Sequence, residues 1–334
     1  MTTDTLGRSL RDLRISVTDR CNFRCTYCMP KEIFNREYEF LSRDLLLSFE
    51  EITRIARAAV NDLGVEKLRI TGGEPLLRRG VESLVESLSG LGSAEVALTT
   101  NASLLEKKAD DLAGAGLDRV TVSLDSLDDA TFQAMNDVDF PVQKVLAGID
   151  AAHVAGLGPV KVNAVIKRGV NETSPVDMVR YFRGSGVVVR FIEYMDVGTS
   201  NGWRLDQVVP AAEIVESIVS EFPAEPVNPL YVGEVAKRYR LLDGSAEFGI
   251  ISSVTQPFCG DCTRARVSAD GILYTCLFAS SGHDLRKLLR DGASDEMLSE
   301  TITDIWAGRT DRYSELRTGE TRSTDRVEMS YIGG

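Results

Sequence analysis

The sequence predicts an α/β fold, an incomplete (β/α)6 TIM-like barrel followed by a smaller C-terminal domain. Three observations lead there. Short runs with apolar and polar residues in alternation recur six times before residue 195, helix-length segments with apolar residues three and four apart lie between them, and both patterns change after a proline-rich break at 222–229. Strands separated by crossover helices run parallel. A chain of 334 residues has room for one large domain and a smaller one.

The expected strands are 13–18, 67–71, 96–101, 120–125, 160–166 and 188–194. Between the first two, Ile52, Ile55, Ala56, Ala59, Val60 and Leu63 fall on one helical face. Leu84, Val85 and Leu88, then Leu104, Leu105 and Leu112, then Val145, Ile149 and Ala152 make comparable stripes in later connections. Six such units favour an incomplete barrel over a closed eightfold one. Because strand side chains alternate, Arg14, Ser16 and Thr18 oppose Leu13, Ile15 and Val17. In the same way Lys67, Arg69 and Thr71 oppose Leu68 and Ile70, Thr121, Ser123 and Asp125 oppose Val120, Val122 and Leu124, and Lys161 and Asn163 oppose Val162 and Ala164. If helices cover the apolar faces, the polar faces line a wet, charged lumen where closed barrels usually carry branched hydrophobes.

Pro223, Pro226 and Pro229 interrupt helix and strand alike, so the domains are expected at 1–225 and 226–334. Beyond the break, 248–255 and 267–278 read as antiparallel strands of a small cap, the second interrupted by a turn at Ala269, Asp270 and Gly271. Leu285, Leu288, Leu289, Met297, Leu298 and Ile302 suggest terminal helices.

Chemistry enters with the cysteines. Cys21, Cys25 and Cys28 have the spacing C-x3-C-x2-C. Three thiolates can hold three irons of an iron-sulfur cube and leave the fourth open, whereas four thiolates favour plain electron transfer. A zinc site would need a fourth ligand, and His153 and His283 are remote in sequence. Cys259, Cys262 and Cys276 form a second triad, for which His283 could complete a Cys3His zinc site. The two triads use all six cysteines, which leaves none for a structural disulfide and suggests a reducing compartment.

Other classes are disfavoured. No apolar run approaches the ~20 residues of a membrane span. The N-terminus lacks the pattern of a signal peptide, so a cytoplasmic enzyme is expected. A net charge of −12 repels nucleic acid at long range. No G-x-x-x-x-G-K-[ST] run is present, so a bound triphosphate would be held by side chains. Arg14, Arg69 and Lys161 in the lumen could do so. So could Arg264 and Arg266, which in extended chain share a face with Cys262.

The C-x3-C-x2-C triad followed by Thr71-Gly72-Gly73-Glu74-Pro75 resembles the radical S-adenosylmethionine (SAM) superfamily. The wider set of Arg14 to Cys21, Arg69 to Pro75, Val122 to Asp125, Lys161 to Val165, Arg190 to Met195, Phe258 to Arg266 and the closing Tyr331-Ile332-Gly333-Gly334 is similar, nearly end to end, to the GTP 3',8-cyclases of molybdenum-cofactor biosynthesis, the MoaA family. Ala102 stands where that family commonly has glycine.

That resemblance implies two [4Fe-4S] clusters, one on Cys21, Cys25 and Cys28 and one on Cys259, Cys262 and Cys276. It implies SAM contacts at Tyr27, Gly73, Ser123 and Met195, and GTP contacts at Arg14, Arg69, Thr100, Lys161, Arg264, Ala265 and Arg266. Arg264, Arg266, Gly333 and Gly334 would assist catalysis. The implied partners are GTP, a reducing electron donor and a downstream cyclic pyranopterin synthase, and a homodimer is compatible. A radical SAM enzyme that modifies peptides is the alternative, although such auxiliary extensions usually hold more than three cysteines.

Overall fold

The computed structural model describes residues 2–317 and 326–333. The strands in chain order are β1 (Asp12–Ser16), β2 (Lys67–Thr71), β3 (Glu95–Thr100), β4 (Arg119–Ser123), β5 (Lys161–Ile166), β6 (Val188–Glu193), β7 (Ala224–Val227), β8 (Lys237–Leu241), β9 (Glu247–Ile251), β10 (Arg264–Val267), β11 (Ile272–Tyr274) and β12 (His283–Asp284). They form one sheet in the order β12-β11-β10-β1-β2-β3-β4-β5-β6-β9-β8-β7. From β10 through β9 every neighbouring pair is parallel, and only the outer pairs are antiparallel.

The six predicted strands appear within two residues of their expected limits. The C-terminal strands need correction. The stretch 248–255 gives β9, parallel beside β6, and β10, which begins ahead of the second stretch, lies parallel beside β1, so the central run has eight parallel strands. The second stretch gives β11, antiparallel to β10 across the expected turn. Residues 225 and 226, the expected domain boundary, both lie within β7.

Helices α1 (Phe49–Asn61), α2 (Val81–Ser89), α3 (Leu105–Gly114), α4 (Asp129–Asn136), α5 (Val142–Val154), α6 (Ser174–Phe182) and α7 (Ala211–Glu221) occupy the connections as far as β7. The start of α1 is fixed by a reciprocal capping box, in which Ser48 Oγ accepts from Glu51 N and the Glu51 carboxylate accepts from Ser48 N. Its buried face, Ile52, Ile55, Ala56, Ala58 and Ala59, joins one core with Leu13, Ile15, Leu68, Ile70, Val120, Val122 and Val162. Each fully buried Leu or Ile contributes about 1.5–3 kcal/mol. The apolar strand faces thus meet the helices, and the polar faces turn the other way.

The C-terminal part adds α8 (Leu285–Arg290), α9 (Asp295–Ala307), α10 (Tyr313–Leu316) and α11 (Met329–Ile332). Helix α9 packs on α1, and its buried Trp306 donates from Nε1 to Arg8 O at 2.9 Å. The connection between β7 and β8 reaches back across the sheet. Tyr231 in it lies under Lys67 Nζ, 4.7 Å from the ring centre, and Gly233 lies against Asp261 and Thr263 ahead of β10.

Candidate active site

The polar face of the sheet bounds a cavity of about 530 Å³. Arg14, Arg69, Thr99, Ser123, Asn163, Arg190, Ile251 and Arg266, one from each of the eight parallel strands, stand in its wall. The sheet therefore curves around the space. Strand register arranges the wall in rows: Arg264, Asp12, Lys67 and Glu95 form one, and Arg266, Arg14 and Arg69 form the next.

The two triads lie at opposite ends of these rows. Cys21, Cys25 and Cys28 follow the C-terminal end of β1, whereas Cys262 precedes the N-terminal end of β10 and Cys276 follows its antiparallel neighbour β11. In the first triad, Cys25 O accepts from Cys28 N at 2.9 Å and from Met29 N at 2.8 Å, which folds the loop into a tight turn. Phe23 N donates to Cys21 Sγ at 3.4 Å, and Asn101 Nδ2 approaches the same sulfur at 3.7 Å. Burial, with Glu74 nearby, pushes the Cys21 thiol up to about 11, and burial also raises Cys25 and Cys28. Without a compensating cation these thiols stay protonated, and an iron centre supplies that cation.

The second triad sits among cations. Arg264 Nη2 donates to Cys262 Sγ at 3.4 Å and Phe278 N donates to Cys276 Sγ at 3.4 Å. Burial raises the Cys262 thiol, but Arg264 and Arg309 more than reverse this and bring it down to about 6. The loop backbone is held as well, with Arg8 Nη1 donating to Cys259 O and Arg309 Nη1 to Cys262 O, both at 2.7 Å. All three cysteines line the cavity, while His283 is exposed on β12 and does not. Among the described residues no group of three or more His, Cys, Asp or Glu side chains closes around a single ion. The fit therefore rests on donor chemistry: two half-buried all-thiol sets with N–H groups aimed at sulfur suit iron-sulfur clusters.

Between the triads the lumen is strongly cationic. The Nε atoms of Arg14, Arg69 and Arg266 are buried without a hydrogen-bond partner among the described residues. Burial and then Arg266 depress Arg14, burial and then Arg264 bring Arg266 down to about 10, and burial and then Arg190 bring Lys161 down to about 7. Lys161 lies among these cations on the same face as Asn163, without itself forming the cavity wall. Arg190, which was not among the expected contacts, lines the wall and donates to Asn163 Oδ1 at 2.8 Å. Its strand pattern, Val188-Val-Arg-Phe-Ile-Glu193, carried that signal.

Two expected contacts lie elsewhere. Thr100 shares its face with Leu98, and its hydroxyl donates to Glu74 Oε1 at 2.7 Å, leaving Thr99 to face the cavity. Ala265 is buried in the core on the helix side of β10. Tyr27, Ser123 and Met195 do line the cavity, at the first triad's end. Tyr27 donates to Asp125 Oδ2 at 2.9 Å, and Asp125 Oδ1 accepts from Val165 N at 2.9 Å, which ties the cysteine loop to β4 and β5. Gly73 donates to Thr18 O at 2.7 Å, and a Cβ there would fall 2.3 Å from Arg20 O. Only glycine permits this approach of the β2 loop to the triad loop.

The chain's end also reaches the lumen. Met329 lines the cavity, and Gly333, at φ +77°, packs against Thr71 so closely that a Cβ would lie 2.4 Å from Thr71 Cγ2. Gly334 lies outside the described residues. Asp196, next to Met195, anchors the approach to this tail: its carboxylate accepts from Tyr313 Oη at 2.6 Å and pairs with Arg317 at 2.7 Å and Arg326 at 2.8 Å. These partners are more than a hundred residues away, so no local spacing announces them.

Comparison with known proteins agrees with this architecture. The Radical SAM superfamily model matches residues 15–182, and the Molybdenum Cofactor Synthesis C model matches residues 187–315. The chain is similar in structure to Streptococcus suis SuiB bound to S-adenosylmethionine, with a TM-score of 0.62 at 16% identity, covering 89% of this chain and 65% of that one. SuiB bound to its precursor peptide SuiA gives 0.61. At this identity the likeness concerns the fold alone. Fold, family match and cysteine loop together define a radical SAM enzyme, with SAM and iron-sulfur clusters as its cofactors.

Sequence relatives narrow the class. The chain is 55% identical over 357 aligned positions to the GTP 3',8-cyclase of Acidothermus cellulolyticus and 50% identical over 337 to that of Staphylococcus saprophyticus, each match covering 99% of this chain and 98% of the relative. The chain belongs to the GTP 3',8-cyclase family of molybdenum-cofactor biosynthesis.

Proposed function

We propose that this protein converts GTP to 3',8-cyclo-7,8-dihydro-GTP in the first step of molybdenum-cofactor biosynthesis. One observation carries the substrate assignment: Arg14, Arg69 and Arg266 converge on the cavity with buried nitrogens that have no hydrogen-bond partner among the described residues. Buried, mutually repelling cations favour a polyanion, and the guanidinium fork suits phosphate oxygens. This also favours a nucleoside triphosphate over the peptide alternative.

The first triad holds the cluster that, when reduced, supplies a 5'-deoxyadenosyl radical from SAM. Tyr27, Ser123 and Met195 orient SAM from the cavity wall, and Gly73 shapes the loop against which it sits. The second triad holds the auxiliary cluster at the far end, where the guanine lies. Arg14, Arg69, Lys161, Arg264 and Arg266 grip the triphosphate, and Arg190 extends that cradle. The radical takes the hydrogen atom from ribose C3' and leaves as 5'-deoxyadenosine, C3' then bonds guanine C8, and one electron from the reducing donor with one proton completes the dihydro product. Holding the reactants in this order is the proximity part of catalysis. In this reading residues 1–225 generate the radical, residues 226–334 carry the auxiliary cluster, and both parts contribute substrate contacts.

The enzyme would work in the cytoplasm with a reducing electron donor and pass its product to a cyclic pyranopterin synthase. Among the described residues no helix is long and apolar enough to cross a membrane. Arg264→Ala and Lys161→Ala are each expected to weaken GTP binding by roughly 2–5 kcal/mol, the range for one partner of a buried charge pair. Anaerobic binding measurements on cluster-loaded protein check this, and unchanged affinity in both variants would contradict the phosphate cradle.

A further inference from the structure

Residues 3–9, which precede both regions matched by the family models, reach the second cysteine triad. Thr3 and Ser9 form an isolated antiparallel bridge, and between them Asp4 N donates to Arg8 O and Gly7 N to Asp4 O, each at 3.0 Å. The Asp4 carboxylate turns inward. Its Oδ1 accepts from Leu6 N at 3.0 Å and from Arg8 N at 2.9 Å, and its Oδ2 accepts from Arg8 Nε at 2.6 Å and pairs with Arg309 Nη1 at 3.5 Å. The side chains of Asp4, Arg8 and Arg309 are 0%, 2% and 2% exposed, so water does not share in this bonding.

From the carboxylate the bonding runs to each member of the triad. Arg8 Nη1 donates to Cys259 O and Arg309 Nη1 to Cys262 O, both at 2.7 Å. Asp311 joins the two arginines, its backbone O accepting from Arg8 Nη1 at 2.9 Å and its Oδ2 from Arg309 Nε at 3.3 Å. The same Oδ2 accepts at 2.6 Å from the hydroxyl of Thr275, the residue before Cys276. Each bond fixes the backbone of a cysteine or of its neighbour, and thereby the spacing of the three sulfurs. Two buried guanidiniums side by side repel, and Asp4 pairs with both. Removing its charge leaves them buried and uncompensated.

We propose that Asp4 is a positioning residue for the auxiliary cluster, acting through Arg8 and Arg309 on the loops that carry Cys259, Cys262 and Cys276. The assignment rests on the reading of the second triad as an iron-sulfur site. A segment ahead of β1 and of the first triad thus serves the opposite end of the lumen. Partners standing behind metal ligands commonly set the affinity of a site by about 10–100-fold.

Asp4→Asn keeps the shape of the side chain and an oxygen for Leu6 N and Arg8 N, but removes the charge between the guanidiniums. Thr275→Val cuts only the branch to Cys276 and leaves every charge in place. Ile302→Ala, which opens a cavity on the buried face of α9 outside the bonded network, controls for general loss of stability. The three variants and wild type are reconstituted anaerobically and exposed to an iron chelator, and iron release, thermal midpoint and 5'-deoxyadenosine formation are followed in each. Wild type is expected to hold about eight irons, from two four-iron clusters. Asp4→Asn should release about half of its iron at least tenfold faster than wild type, with the other half and 5'-deoxyadenosine formation unchanged. Thr275→Val should speed release of the same half by a smaller factor, and Ile302→Ala should lower the thermal midpoint without separating the halves. Wild-type release rates in both Asp4→Asn and Thr275→Val would overturn the proposal. So would equal acceleration of both halves in Asp4→Asn, or selective release from Ile302→Ala. Wild type that binds only about four irons would overturn the cluster reading of the second triad and the proposal with it.

Discussion

Alanine at any one of Cys21, Cys25 or Cys28 is expected to abolish reductive SAM cleavage, while alanine at Cys259, Cys262 or Cys276 leaves 5'-deoxyadenosine formation measurable and eliminates cyclised nucleotide. The asymmetry follows from the opposite placement of the triads along the parallel strands. The first triad shares its end of the cavity with Tyr27, Ser123 and Met195, and the second shares the other with Arg264 and Arg309. Removing a thiolate from a three-cysteine site leaves too few ligands to keep one iron distinct. Product analysis of each variant after anaerobic reconstitution checks the prediction. Loss of all SAM cleavage in a second-triad variant that retains its first cluster would mean that the two sites do not divide the work in this way.

The second large effect is expected at the C-terminus. Deleting Gly333 and Gly334 should leave folding, both clusters and SAM cleavage largely intact and lower cyclised product per 5'-deoxyadenosine at least tenfold. Gly333 holds a positive φ and touches Thr71, one row along β2 from Arg69. Gly333→Ala meets two obstacles there: a backbone conformation, φ 77° and ψ 131°, that costs an L-residue about 1–3 kcal/mol, and a contact that cannot be accommodated without moving the tail. The substitution should therefore reproduce much of the deletion. An unchanged ratio of product to 5'-deoxyadenosine in both variants would make the tail an ordinary terminus.

Where sequence reading succeeded, the information was local. Alternation in strands such as Lys67–Thr71 separates Lys67 and Arg69 from Leu68 and Ile70 without reference to anything distant, and the lumen's polarity follows. The C-terminal strands failed for the opposite reason. The turn at Ala269 to Gly271 announces the β10–β11 hairpin, but the parallel partner of β10 is β1, some 250 residues earlier, and nothing near Arg264 encodes it. Thr100 shows how little separates a correct face from a wrong one, since Thr99 and Thr100 differ only in which side of β3 they take. The Asp196 cluster, assembled from residues 196, 313, 317 and 326, has no sequence period at all.

The central claim is that this cavity brings the 5'-carbon radical derived from SAM to ribose C3' of GTP. The most direct measurement uses GTP deuterated at C3' with anaerobically reconstituted enzyme, SAM and dithionite, and mass analysis of both products. The account predicts deuterium in 5'-deoxyadenosine, its loss from the nucleotide, and one cyclised 3',8 product for each labelled 5'-deoxyadenosine. Cyclised product formed with the deuterium still on the nucleotide, or labelled 5'-deoxyadenosine with no cyclised product, would contradict it.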